Sequence, residues 1–530
     1  MRPVEDLARE YVELVCEAFP VSATYLGRHE HDHRLGEHHP DVFEYHAASV
    51  EALRGELYQY LDASMGGDLD PGHVLEARAL DGVLATTLLE LEQDQQWRRN
   101  PDRAIETVLG GCFALLLRDH APLADRVAAL HDRLEAVPEF LAGAARTWSD
   151  VPTLWADLAA DSALFGAEFL RRDLDGALEG STRRDEVMAA ASRAADALEW
   201  TARRVRDLGV DAPWAVGEHA FAERLGVEHH LTDSPSEVAR RGHGLVHDTL
   251  ALLEDLDPAW RRRLERTKDR HPAADELLDV YRVETERARA HVVTSGLAPD
   301  SDAPLDVRPT PRFWAHVMPY AAYDPPGYFE DDQRGIFWVT VPEGPDAAER
   351  LRGHSLPSIV LTAVHEAYPG HHLQLTRANR SAGLVRTLAG SALTIEGWAH
   401  YCEQLLAEDG YFGDDLDLRL YQLKDQLWRA ARVVLDVGLH CGQMGFDDAV
   451  GYLVEVADLE PANARAEVRR YTSSPTYQIC YAIGKDEILA LREAWRVREG
   501  PDFDLGRFHT ELLAYGSVPV PLVSAAMLGR

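Results

Sequence analysis

The chain has 530 residues, 46% of them hydrophobic and 27% charged, enough to bury one large core or two to three smaller ones without disulfides. Fifty-four Lys and Arg against 89 Asp and Glu leave a formal charge of -35 with no local basic stripe, which argues against nucleic acid and anionic membrane surfaces as partners. The five cysteines are scattered and include no CxxC pair, so they read as free thiols in a reducing compartment.

The first twenty residues interleave Glu5, Asp6, Glu10 and Glu13 with apolar positions. They lack the uninterrupted apolar stretch of a signal peptide, and no run of about 18 apolar residues follows anywhere. A cytoplasmic location is the resulting expectation. From Val4 to Leu208 apolar residues recur at three and four, as in Leu84 to Leu91 and Ala189 to Ala197, which predicts a succession of long helices. Gly66-Gly67, Asp70-Pro71, Asn100-Pro101, Val137-Pro138 and Asp150-Val151-Pro152 are the expected breaks. The histidines His29, His31, His33, His38 and His39 are irregularly spaced among charges; they read as a solvated loop, and His229-His230 likewise.

A division follows into an N-terminal helical region, 1–210, and a catalytic helical region, 211–530, forming one continuous unit around a cleft. In the second region Ser234-Pro235-Ser236-Glu237 is a helix start with a capping box. Between about 296 and 345, Pro304, Pro309, Pro311, Pro319, Pro325, Pro326 and Pro342 forbid long helices. Inside that stretch, Gly335 to Val341 is the best strand candidate, and its edge is a candidate for aligning an extended peptide. The predicted fold class is mainly α, a large helical body with a small β insertion beside the active-site helix.

That helix opens near Pro357 and runs into His365-Glu366, followed by Ala367-Tyr368-Pro369-Gly370-His371-His372. In HExxH, two histidines four apart reach one zinc ion and the intervening Glu serves as general base. Here Pro369 occupies the fourth position, so the simple motif is absent. On an ideal helix His371 would lie roughly 120° from His365, and His372 about 10.5 Å along the axis. Pro369 opens the turn and Gly370 tolerates unusual dihedrals, so a bulge brings His371 to His365, with His372 as its rival. The next segment offers Glu396, His400 and Glu403 on one helical face. Glu396 is assigned to the metal, and Glu403 with His400 to the shell that orients the ligands.

HEAYPGHHLQ followed by EGWAHYCE resembles the signature of the bacterial family DUF885, whose members resemble zinc peptidases of the thermolysin-like, gluzincin group. The resemblance extends over most of the chain, from Ala23-Thr24-Tyr25-Leu26-Gly27 to Tyr481-Ala482-Ile483-Gly484-Lys485. It implies a largely helical, oligopeptidase-like fold with a cleft. It implies no substrate. His400 stands where the family pattern has an apolar residue.

Arg432, Asp436 and His440 follow at intervals of four on an apolar helix. They read either as an Arg-Asp pair locking two helices or as groups supporting catalysis, and the resemblance tilts His440 towards catalysis. Among Tyr471, Tyr477 and Tyr481, related zinc peptidases need one oxyanion donor; Tyr481 is the candidate and Tyr477 the next. The expectation is a hydrolase using one Zn²⁺ held by His365, His371 and Glu396, with Glu366 as base and Tyr481 and His440 in support. Its substrate is expected to be a short peptide, alternatively a small non-peptide amide. A silent helical binding protein is the remaining alternative.

Overall fold

Where apolar residues recur at three and four, the chain is helical: Val4–Ala18 buries Val4, Leu7, Ala8, Val12 and Cys16 along one stripe. The computed structural model describes residues 2–64, 71–311, 315, 318 and 320–529. Asn100-Pro101 and Asp150-Val151-Pro152 separate helices as expected. Gly66-Gly67 and Asp70 lie outside the described residues, as does Pro319. Val137-Pro138 does not break its helix, because Leu123–Thr147 continues through Pro138, with Val137, Phe140 and Leu141 buried on both sides. At Ser234 the capping box forms: the hydroxyl accepts from the Glu237 N–H while the Glu237 carboxylate accepts from the Ser234 N–H.

The proline-rich stretch carries three strands, β1 (Leu305–Pro309), β2 (Ala321–Asp324) and β3 (Gly335–Val339). Their order is β1-β3-β2, with β1 parallel and β2 antiparallel to β3. The expected strand therefore exists, but it is central and paired on both sides. Its apolar sequence, buried at every residue, is what a central strand requires. The outer position facing the chemistry belongs to β2.

Among the described residues, three hydrophobic cores straddle residue 210. One is built from the helices between 104 and 205 together with Ile336 and Trp338 of β3. Another joins the helices between 4 and 88 to Leu384 and Val385. A third surrounds the helix bearing His365 and includes Phe337, Trp398 and Phe508. All five cysteines are unpaired, and Cys16, Cys112, Cys402 and Cys480 are buried. Among the described residues no helix is long and apolar enough to cross a membrane.

Candidate metal centre

Helix Leu356–Glu366 starts with the Ser355 hydroxyl accepting from the Ser358 N–H and with Pro357 in its first turn. It ends at Glu366. Ala367 leaves helical geometry at φ -111°, ψ -88°, the Tyr368-Pro369 peptide is cis, and a new helix, His371–Arg377, begins. The bulge expected within one helix is thus a complete break. Pro369 has no N–H to continue the ladder, and at Gly370 a Cβ would lie 1.8 Å from the His365 carbonyl oxygen. Only glycine fits so close an approach. The Trp398 indole donates to the Pro369 carbonyl at 2.7 Å, tying the turn to the neighbouring helix Ala392–Glu408.

This break brings the imidazoles of His365 and His371 to 4.7 Å between centroids, nearly perpendicular at 89°. Both Nε2 atoms face one oxygen of Glu396: His365 Nε2 is 3.7 Å and His371 Nε2 3.5 Å from Glu396 Oε2. These separations suit donors sharing a zinc ion at about 2.1 Å, whose tetrahedral edges are about 3.4 Å. The orientation of His365 fits as well. Its Nδ1 donates to Glu403 Oε1 at 2.8 Å, which leaves the Nε2 lone pair directed at the cluster. Glu403, 1% exposed, is in turn held by the Arg429 guanidinium at 3.2 Å and by His400 Nδ1 at 3.3 Å.

His372 points elsewhere: its Nδ1 meets the Tyr323 hydroxyl at 3.1 Å and its Nε2 donates to the Ala303 carbonyl at 3.2 Å. Gly335 permits this arrangement, because a Cβ there would lie 2.6 Å from His372 Nδ1. The Tyr323 backbone N–H on β2 donates to Glu366 Oε2 at 3.0 Å, fixing the carboxylate between the sheet edge and the cluster. Sequence reasoning missed this contact, since a backbone donor leaves no residue-type signal.

On the opposite side, the Tyr477 hydroxyl donates to Glu396 Oε1 at 2.7 Å, and Tyr481 lies one step further out, 3.4 Å between hydroxyls. Tyr477, ranked second from sequence, is the nearer to the cluster. The approach depends on glycine again. Helices Ala392–Glu408 and Cys480–Glu499 cross where a Cβ on Gly397 would be 2.6 Å from the Gly484 carbonyl carbon. The turn bearing Tyr477 is fixed by Asp436, which accepts from the N–H groups of Thr476, Gln478 and Ile479. Arg432 therefore does not pair with Asp436; it donates to the Tyr471 hydroxyl and reaches Glu467. His440 is not brought to the cluster. It is fully buried beside Trp214 and Phe221, and its Nε2 donates to the Tyr471 carbonyl at 3.0 Å.

The electrostatics of the site are those of a compact acid-base pair. Burial resists ionisation of Glu396, but the imidazoles of His365 and His371 hold its carboxyl well below the usual range. Burial lowers His365, yet Glu396 and Glu403 together raise it to about 9. A ligating imidazole must be neutral, so a metal held here would displace that proton. Burial, and then Glu396, push the Tyr477 phenol upwards, which keeps it a hydrogen-bond donor.

Two histidine groups depart from the solvated loops expected of them. His229 is fully buried, near Glu228 and the Cys480 thiol, and His230 packs over Gly82. In the N-terminal cluster His33 and His39 are exposed as expected, but His38 is buried and donates to the Trp97 carbonyl. His29 lies between two carboxylates.

A family described as "Bacterial protein of unknown function (DUF885)" matches residues 20–527, and the chain belongs to it. Among curated proteins none matches this chain. Solved structures that share the fold include two of bacterial origin. One, from Shewanella oneidensis, is described as "a putative lipoprotein of unknown function"; it is 22% identical over 100% of both chains, with a TM-score of 0.81. The other, described as "the putative lipoprotein from Colwellia psychrerythraea", is 18% identical over 98% of both chains, with a TM-score of 0.82. These two neighbours overturn the cytoplasmic expectation, since both are described as putative lipoproteins. Missing apolar runs therefore do not locate the chain.

Proposed function

We propose that this protein is a zinc-dependent hydrolase of the gluzincin type, cleaving amide bonds of short peptides. The observation carrying the reading is the convergence of His365 and His371 Nε2 on Glu396 Oε2 at 3.7 and 3.5 Å, with Glu366 on the adjoining residue. His365, His371 and Glu396 would hold the ion, leaving a coordination position for solvent and substrate. Zinc, when bound, supplies Lewis acidity to the water and to the scissile carbonyl.

The chain's own groups do the rest. Glu366, held by the Tyr323 N–H at 3.0 Å, accepts the proton of the attacking water at its carboxylate and passes it to the leaving amine. Tyr477, with Tyr481 behind it, turns its single O–H from Glu396 Oε1 to the oxyanion as charge develops, an interaction costing about 3–4 kcal/mol of barrier when lost. Alternation along β2, where the Tyr320 carbonyl accepts from Thr340 N–H, turns the backbone groups of Ala321 and the Tyr323 carbonyl outwards, where an extended peptide adds as a strand, the Tyr323 N–H staying with Glu366. A scaffold that had lost catalysis would have no need of a carboxylate beside the ligands. The test is Glu366→Gln: zinc content is expected to stay at the wild-type level while cleavage of a peptide library is abolished. Unchanged cleavage would remove Glu366 from this role.

A further inference from the structure

A second group of donors lies far from the metal centre in sequence. His29 Nδ1 and His120 Nε2 each approach Asp32 Oδ2 at 3.0 Å, and one donor atom from each of the three residues lies within 4.8 Å of the others. Two of the three donors carry outer support. His29 Nε2 meets Glu330 Oε1 at 3.0 Å. Asp32 Oδ1 accepts from the Thr24 hydroxyl at 2.6 Å, and that hydroxyl accepts from the buried Arg133 guanidinium at 2.6 Å. The backbone beneath is fixed: Phe329 N–H donates to the Leu26 carbonyl, and Gly27, at φ +86°, leaves no room for a Cβ, which would sit 2.8 Å from Glu330 N.

With a carboxylate at both nitrogens, His29 needs two N–H groups, which a neutral imidazole lacks. The proton between His29 Nδ1 and Asp32 occupies the place a cation takes in a carboxylate-braced histidine site.

We propose that His29, Asp32 and His120 form a second cation site, taking a divalent first-row transition ion of the zinc class through His29 Nδ1, Asp32 Oδ2 and His120 Nε2. Two imidazoles and one carboxylate are the donor set such ions select. Binding releases the Nδ1 proton of His29 and leaves its Nε2–H on Glu330; His120 coordinates as the Nδ1–H tautomer. The two rings are stacked at 3.9 Å and 5°, so one ion cannot lie in both planes. Coordination through both rings therefore requires His29, whose side chain is 28% exposed against 3% for His120, to tilt out of the stack.

The ion is a staple rather than a catalyst. It joins the 3-10 turn His29–His31 to the connection after helix Asp102–Leu117. Two residues before His120, Arg118 donates to the Asp324 carboxylate and to the Asp324 and Arg334 carbonyls. The staple thus braces the sheet edge against which Glu366 rests.

The experiment measures zinc by mass spectrometry on the full chain after saturation and desalting, in wild type, His120→Gln, His365→Ala and the double variant. Two equivalents are expected in wild type, one in each single variant and none in the double. One equivalent that survives His120→Gln and disappears in His365→Ala overturns this site while leaving the proposed metal centre intact. One equivalent with the opposite pattern supports this site and removes the other, and no bound zinc in wild type overturns both. Should His120→Gln fail to fold, anomalous diffraction at the zinc edge on wild-type crystals decides: a peak between His29, Asp32 and His120 is expected, and its absence overturns the proposal.

Discussion

Gly484→Ala probes the contact on which the tyrosine side of the site depends. A Cβ at 484 would stand 2.0 Å from the Leu393 carbonyl oxygen and 2.9 Å from Gly397 Cα. Restoring an ordinary contact of about 3.4 Å requires helices Ala392–Glu408 and Cys480–Glu499 to part by roughly 1.4 Å. Tyr477 travels with the second helix, and its 2.7 Å bond to Glu396 would open beyond hydrogen-bonding range. Overpacking of this kind costs about 1–3 kcal/mol, and a 1 Å misplacement beside the chemistry costs about 100-fold in rate. Gly451→Ala is the control, because a Cβ there meets nothing within 4 Å and alanine favours helix by about 1 kcal/mol. Urea midpoints and turnover of a cleaved peptide are compared for both. If Gly484→Ala matched Gly451→Ala in midpoint and rate, the close crossing would not be what positions Tyr477.

Further outcomes follow from the same geometry. Glu403→Gln removes the charge that orients His365 through the 2.8 Å bond; zinc affinity, measured by chelator competition, should fall about 10- to 100-fold, and an unchanged affinity would disprove the orienting role. His371→Ala should lose the zinc equivalent of this centre while His372→Ala keeps it, since His372 is occupied by Tyr323 and Ala303; the reverse pattern would exchange their roles. Tyr477→Phe should lower turnover more than Tyr481→Phe at equal zinc content, and a larger loss in Tyr481→Phe would restore Tyr481 as the donor. Burial lowers His46, His354, His440 and His509 to about 4, against about 6.5 in the unfolded chain. Between those values the unfolded state binds more protons, so stability is full above pH 6.5 and is lost as pH falls towards 4, by about 1–2 kcal/mol per histidine at pH 5. Urea midpoints that stayed flat from pH 7 to pH 5 would contradict this.

The mainly helical class, the strand at 335 and the trio of His365, His371 and Glu396 were all legible in the sequence. Each rests on local information: apolar periodicity, proline and glycine chemistry, and a His-Glu pair on a helix. Tertiary structure decided what depends on directions between elements. His371 rather than His372 faces the cluster because a new helix begins at His371. Tyr477 comes nearer to Glu396 than Tyr481 because two glycines let their helices touch. β3 became central because β1 pairs with it from upstream while β2 takes the outer edge. His440 is a packed core residue, since its helix turns that face towards Trp214 and Phe221. The cluster of His29, Asp32, His120 and Glu330 gathers segments hundreds of residues apart, and no spacing rule along the chain could have assembled it.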